Sequence, residues 1–335
     1  MNTTTTGQKA AYEERIRKLV NHVWDQEIRG PEVDAWVNNF DGQMFDKNEE
    51  QLYALLSLSR YMYFSKRLVR EMLKSLYRDH FESPLLQRIR RNLGGTKDST
   101  LIRRVYEQEL SATRFIGIGN PAESGAHLLY YFRQVNRLPK KLFVDIAGAF
   151  SQKIECSGDV SGAGKSGKIR YLPKDSSVSR YVFFDDLVGS GNQISLYLTD
   201  HLKRIRKTKN QFDISFISLF ATTNGLAKLN GKALFDGRAM CLFELDETYK
   251  AYDLSSRYFS NSPPWFDMGT LCKMTEGYGK KLCPAHPLGY ENSQLLLGFT
   301  HNTPDNAPPI FWDEGRKTPW APIFVRYDKN YGGNP

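Results

Sequence analysis

The sequence predicts an α/β protein: a doubly wound, mostly parallel sheet with an all-helical region before it and an extension after it. Three observations predict it. Over residues 1–110, apolar positions recur at helical spacing. From Arg114 the pattern switches to short apolar runs alternating with helical stretches, the mark of a parallel sheet built from strand–helix units. Beyond residue 250 the chain is rich in Pro, Trp and Tyr and loses both periods. The expected organisation is therefore a helical region 1–110, an α/β core 111–250, and an extension 251–335 packing on that core.

In the helical region, Ile16, Leu19, Val20, Val23 and Trp24 define a first helix between Ala10 and Ile28. Gly30-Pro31 breaks it and opens a second, because proline is tolerated in a first turn. Leu52, Leu55, Leu58, Tyr61 and Met62 place a third over Glu49–Phe64. Ser65 caps a fourth, Ser83-Pro84 starts a fifth that Gly94-Gly95 stops, and Asp98 caps a sixth ending at Leu110. No catalytic motif lies here. Arg88, Arg90, Arg91, Arg103 and Arg104 fit a solvated face better than a nucleic-acid surface.

The α/β core opens with a strand at Arg114–Gly119. A loop follows, Gly119-Asn-Pro-Ala-Glu-Ser-Gly125, then a helix Ala126–Asn136 and a strand Leu142–Ile146. The loop is a candidate anion site through Gly119, Asn120, Ser124 and Gly125. An ordinary turn ending in a serine cap accounts for the same residues. Residues 147–177 form a long Gly- and Ser-rich stretch holding Lys153, Lys165, Lys168, Arg170 and Lys174. Its Ser161-Gly-Ala-Gly-Lys-Ser-Gly hints at a P-loop, but Asp159 stands where that pattern needs glycine, and Ile169–Pro173 looks extended rather than helical. A loop of this length reads as a basic lid. Later come a strand Phe212–Phe220, a polar loop Ala221–Gly225, a short helix and a strand Met240–Leu245.

Between these lies the central motif, Tyr181-Val-Phe-Phe-Asp-Asp-Leu-Val-Gly-Ser-Gly-Asn-Gln193. An apolar strand runs into two carboxylates, Asp185 and Asp186, then into a short turn that opens a helix. Backbone N–H groups at a helix start, with its dipole, favour an anion. Gly189, Gly191, Ser190, Asn192 and Gln193 would let the backbone approach a phosphate closely. The two acids suit vicinal hydroxyls, a metal ion, or both. A phosphate cradle beside two acids fits a phosphorylated sugar. The plainer alternative is a strand ending in Asp-Asp and a Gly-Ser-Gly turn.

This segment resembles the signature of type I phosphoribosyltransferases. The resemblance implies that Asp185 and Asp186 hold ribose hydroxyls of phosphoribosyl pyrophosphate and that Gly189–Gln193 wrap its 5′-phosphate. It also implies that the 119–125 loop contacts pyrophosphate, that Mg2+ bridges substrate oxygens, and that Lys165, Lys168 and Arg170 are candidate lid cations. Gly189 and Gln193 depart from the usual hydroxyl or acidic residues of that turn. Over nearly its full length the chain also resembles the phosphoribosyltransferase-like proteins of bacterial conflict systems, some encoded beside retron reverse transcriptases. The matching features are the helical first hundred residues and the stretches 124–133, 183–193 and 286–312. That resemblance implies a cytoplasmic antiphage effector beside a nucleic-acid-containing partner of the reverse transcriptase and msDNA type, with oligomerisation open.

Composition bounds the rest. The chain has 335 residues, 40% hydrophobic, 25% charged and 13% aromatic, which is ordinary for a folded protein. Its net charge of +9 favours anionic ligands without choosing among nucleotides, phosphorylated sugars and nucleic acid. The start lacks the basic and apolar parts of a signal peptide, and no run reaches the ~20 apolar residues that span a bilayer. Four sparse cysteines fit a reducing compartment. Cys272, Cys283 and His286 have an unusual spacing for zinc and offer three ligands, so no metal site is expected. Two functions follow: an enzyme acting on a ribose phosphate, or an inactive module of the same fold that senses nucleotides or binds a nucleic-acid or protein partner.

Overall fold

The computed structural model describes residues 3–119, 124–155, 168–207, 211–315 and 318–327. The helices are α1 (Thr3–His22), α2 (Gly30–Val37), α3 (Lys47–Leu58), α4 (Lys66–Tyr77), α5 (Ser83–Asn92), α6 (Ser99–Ser111), α7 (Ser124–Val135), α8 (Ile146–Ala149), α9 (Asn192–Arg206), α10 (Thr223–Leu229) and α11 (Met268–Leu282). The strands are β1 (Met62–Phe64), β2 (Thr113–Gly117), β3 (Phe150–Glu155), β4 (Lys168–Pro173), β5 (Arg180–Val188), β6 (Asp213–Thr222), β7 (Ala239–Leu245) and β8 (Leu297–Phe299). They divide between two compact units, Met1–Val69 with Leu245–Pro335, and Arg70–Glu244. The boundaries expected at 110 and 250 differ from these. Helices α5 and α6 fall with the sheet, and the extension shares a unit with the first three helices.

The unit Arg70–Glu244 holds a four-stranded sheet in the order β2-β5-β6-β7, with β2, β5 and β6 parallel. Alternation along each strand sends side chains to opposite faces. Phe115 and Phe184 meet Phe132 of α7 on one face, each with ring centroids 5.4 Å away. Ile116, Phe183 and Phe216 share the other core with Ile194, Leu198 and Leu202 of α9. Helices thus cover both faces, which is the doubly wound arrangement the sequence predicts. The strand expected over Leu142–Ile146 contracts to one parallel bridge, Phe143 to Phe115, on the edge of β2 away from β5. Asp145 ends it by capping α8, accepting from the Gly148 N–H. The chain therefore leaves β2 to one side and returns on the other, which puts the topological switch point between β2 and β5. Ligands of such sheets bind at that point, beyond the carboxyl ends of the strands.

The opposite end of the sheet is ionic. Thr113, Arg180 and Asp213 start their strands in register. The Arg180 guanidinium, almost fully buried, donates to Glu109 at 2.8 Å, Asp213 at 2.9 Å and the Thr113 hydroxyl at 3.2 Å. Arg88 and Arg238 also reach the Asp213 carboxylate, at 3.0 and 3.1 Å. Burial pushes the Asp213 carboxyl up, but the hydrogen bonds and charges of Arg180 and Arg88 outweigh it and hold it below the usual value of 3.8. A carboxyl with a depressed folded-state pKa adds stability above its unfolded pKa and loses it as pH falls through the folded value. Asp213→Asn is expected to destabilise the fold by about 3 kcal/mol at neutral pH. The deficit should shrink below about pH 4 in thermal melts. A melting point that matches the native chain at neutral pH would dismiss this network as a fastener.

The other unit is built on aromatic rings. Trp36, fully buried, lies parallel to Phe311 at 5.5 Å and donates its indole N–H to the Ile310 carbonyl at 2.6 Å. Tyr61 stacks on Phe324 at 4.2 Å. The helix expected over Glu49–Phe64 stops at Leu58, and Met62–Phe64 instead pairs in parallel with Leu297–Phe299. Helical spacing in the sequence could not anticipate a strand partner so distant along the chain. Helix α11 was not expected either. Asp267 caps it, accepting from the Thr270 N–H at 2.6 Å, but Gly269, Gly277 and Gly279 lower its helix propensity. Gly277 and Gly279 are there for contact: a Cβ on them would strike Met44 and the Pro287 carbonyl.

Candidate functional site

Strand β5 keeps its pairing through Val188, so the acid pair lies within the strand's carboxyl end rather than after it. Asp185 sits in register with Ser218 of β6 and is half-buried, while Asp186 is 9% exposed. The Asp185 carboxylate accepts the Asp186 N–H at 2.9 Å, and the Asp186 carboxylate accepts the Leu187 N–H at 2.8 Å. Those bonds fix both side chains against the backbone. Ser218, fully buried, has a hydroxyl without a hydrogen-bond partner among the described residues.

After the acids the chain makes its turn. Gly191 has φ +71° at the cap of α9, a left-handed conformation that glycine adopts without strain. The Ser190 hydroxyl accepts the Asn192 N–H at 3.4 Å. Carbon-free space is deliberate here: a Cβ on Gly225 would overlap the Gly189 carbonyl oxygen, and one on Gly191 would lie 3.3 Å from the Gly225 carbonyl oxygen. The Thr222 hydroxyl donates to the Gly189 carbonyl at 2.7 Å while accepting the Gly225 N–H at 3.0 Å. Lys228 of α10 donates to the Asn192 side-chain oxygen. The turn 189–193 thus rests on the start of α10. The stretch expected as a loop at Ala221–Gly225 is the end of β6 and the first turn of α10, and it braces the turn.

The second loop reaches the same place. Gly119 has φ +87°, and its carbonyl accepts the Tyr197 hydroxyl of α9 at 3.4 Å. A Cβ on Gly125 would lie 2.9 Å from the Ile118 carbonyl oxygen and 3.1 Å from an Asp185 carboxylate oxygen. The start of α7, the end of β2 and the first acid therefore touch. Ser124 is the first residue of α7, and its side chain lies outside the described residues, as does the whole of Asn120. Lys165 also lies outside them. Lys168 and Arg170 are on β4, opposite Glu155 and Lys153 of β3, with side chains outside the described residues. The stretch 147–177, expected as one loop, carries this antiparallel β3–β4 hairpin.

Two participants, Tyr197 and Lys228, escaped the sequence reading, whereas Thr222 lies in the polar stretch 221–225 that it singled out. Thr222 carried a signal, a threonine three residues before glycine at a strand-to-helix turn. Tyr197 and Lys228 carried none, since their partners lie 78 and 36 positions away. Charge is also unevenly shared. Residues 70–244 hold 28 Lys and Arg against 17 Asp and Glu, a net +11, whereas the rest of the chain is −2. The excess positive charge belongs to the unit that bears the site.

A family model described as PRTase-CE matches residues 33–326. The chain belongs to the PRTase-CE family. The match takes in most of both units of this PRTase-CE protein. Among solved structures it is similar to the Helicobacter pylori xanthine-guanine-hypoxanthine phosphoribosyltransferase (13% identical, covering 55% of this chain and 86% of that one, TM-score 0.26). It is also similar to a purine phosphoribosyltransferase from Pyrococcus horikoshii Ot3 (11% identical, 55% and 85% covered, TM-score 0.25). A third is the Trypanosoma brucei adenine phosphoribosyl transferase in complex with AMP, pyrophosphate and ribose-5-phosphate (14% identical, 47% and 69% covered, TM-score 0.23). No curated protein matches the PRTase-CE chain significantly. Its fold is type I phosphoribosyltransferase-like, as the central motif led one to expect. Among the described residues, no helix is long and apolar enough to cross a membrane.

Proposed function

We propose that this protein binds a ribose phosphate, either phosphoribosyl pyrophosphate or a nucleotide, at the switch point between β2 and β5, and acts on its anomeric bond. The observation that carries the reading is the convergence of the acid pair, the Gly125 backbone and the Gly189–Gln193 turn at the carboxyl end of the sheet. Asp185 and Asp186 accept hydrogen bonds from the ribose hydroxyls. The turn takes the 5′-phosphate, and Gly119, Asn120, Ser124 and Gly125 face the pyrophosphate. The bond from the anomeric carbon breaks, to the pyrophosphate oxygen in phosphoribosyl pyrophosphate or to the base nitrogen in a nucleotide; a bond to an acceptor or water forms, and the proton the acceptor gives up passes to solvent or to the departing base. Positioning and electrostatic stabilisation of the departing anion supply most of such catalysis, with Lys165, Lys168 and Arg170 as the lid cations. Two adjacent carboxylates are hard oxygen donors that fit Mg2+ held chiefly through substrate, and no group of three or more His, Cys, Asp or Glu exists among the described residues to hold it alone. Bound Mg2+ would neutralise charge on the leaving group.

Isothermal titration with phosphoribosyl pyrophosphate and Mg2+ tests this. Saturable binding, followed by release of pyrophosphate when acceptors are added, is the expected result. A folded chain that binds neither phosphoribosyl pyrophosphate nor nucleoside monophosphates would overturn the reading. We further propose that the protein acts as an effector of antiphage defence, a role implied by the resemblance of residues 124–133, 183–193 and 286–312 to conflict-system proteins. Loss of plaque protection on Asp185→Asn/Asp186→Asn, in cells carrying the gene with its neighbours, checks that role.

A further inference from the structure

The turn itself, Gly189–Gln193, contributes no cation, yet a phosphomonoester carries nearly two negative charges at neutral pH. A cation at the turn comes from a different element. Lys228, exposed near the end of α10, lays its stem over Gly191, where a Cβ would lie 3.5 Å from the lysine Cδ. Its ammonium reaches the Asn192 side-chain oxygen, in the first residue of α9. The stem is steered by the floor beneath it. Thr222 fixes α10 to the Gly189 carbonyl, and Gly225 packs against that same carbonyl. Lys228 is therefore carried on an element fastened to the turn at two points, with its charge held at the turn's rim.

We propose that Lys228 is a binding residue for the terminal phosphate, exchanging its Asn192 partner for a phosphate oxygen and making the site selective for 5′-phosphorylated ribose over unphosphorylated nucleosides. This rests on the ribose-phosphate reading of the site. A long, flexible ammonium suits the task, since it delivers a point charge without demanding a fixed geometry. Asn192 holds it in place when no anion is present. Replacing a neutral amide oxygen by a phosphate oxygen strengthens the hydrogen bond, because both partners are then charged.

The full-length chain is titrated with ribose 5-phosphate at low and high salt, beside Lys228→Met, Lys228→Arg and Asn192→Ala. Loss of one charge-assisted bond predicts an affinity about 10- to 100-fold lower for Lys228→Met, with a shallower salt dependence. Lys228→Arg should stay within about threefold of the native chain. Asn192→Ala separates charge from tethering: it removes the lysine's anchor but should keep the native salt dependence. Native affinity and salt dependence in Lys228→Met would overturn the inference while leaving the ribose-phosphate site standing. So would an equal loss, with equal salt dependence, in Lys228→Met and Asn192→Ala. Should the folded native chain bind no ribose 5-phosphate, the reading of the site falls and this inference with it. Lys228→Gln repeats the test if the Met variant is insoluble.

Discussion

Asp185→Asn/Asp186→Asn is expected to lower the affinity for phosphoribosyl pyrophosphate with Mg2+ by about 100-fold or more. Hydrogen bonds to a charged partner contribute roughly 1.5–3 kcal/mol each, and two of them account for about 10²- to 10⁴-fold. Asparagine keeps the shape of aspartate and one acceptor oxygen. Both bonds to neighbouring N–H groups can therefore persist, and the melting point should move by only a few degrees. That combination of a large binding loss and a small stability change is the signature of acids that serve a ligand. A protein that merely binds anions through its positive surface would behave oppositely. Removing two negative charges from the +11 unit would leave its affinity unchanged or raise it. Titration of both forms beside their thermal melts distinguishes these outcomes.

The second large effect is steric. Gly225→Ala should displace the Gly189–Gln193 turn, because the added methyl would occupy the space of the Gly189 carbonyl oxygen. Backbone cannot step aside as a flexible side chain does. A cost of about 3 kcal/mol is therefore expected, at the upper end for overpacking. Displacing that carbonyl also breaks its bond with the Thr222 hydroxyl. Affinity for ribose 5-phosphate should fall more than about tenfold, since phosphate recognition by backbone groups tolerates little misplacement. Gly30→Ala is the control, a glycine with nothing within 4 Å of the added carbon and no left-handed backbone. If Gly225→Ala melts and binds like Gly30→Ala, the turn does not depend on its α10 support.

Much of the sheet was legible because its signals are local. Tyr181–Phe184 and Phe212–Phe220 are apolar runs of strand length, and the Gly-Ser-Gly turn announces the break between strand and helix. The acid pair and its turn were found for the same reason, since all their parts lie within 13 consecutive residues. What escaped depends on distant partners. Met62–Phe64 has the residues of a helix end and becomes a strand only because Leu297–Phe299 lies beside it. Phe143 reaches the sheet, but the Asp145 cap wins the following residues for a helical turn. Glu50 lies in the first turn of α3, beside the exposed Glu49. It is fully buried, accepting N–H groups of Gly42, Met44 and Phe45 and the Tyr278 hydroxyl. No local pattern distinguishes it from the surface glutamates around it.

The pairing of β1 with β8 carries a consequence for how the chain is made. Residues 70–244 are inserted, as a topological unit, between two halves that complete each other. A ribosome finishes the sheet-bearing insert while the aromatic half before it still waits for Phe311, Trp320 and Phe324. Contacts that close such long stretches form late, after the entropy of loop closure has been met. Until residues 311–324 have been made, Trp24, Trp36 and Phe40 lack these ring partners, and apolar surface left open in this way is prone to aggregate. The insert is a contiguous 175-residue piece, so a fragment ending near Glu244 should keep a folded sheet while its N-terminal segment is left without the partners it packs against.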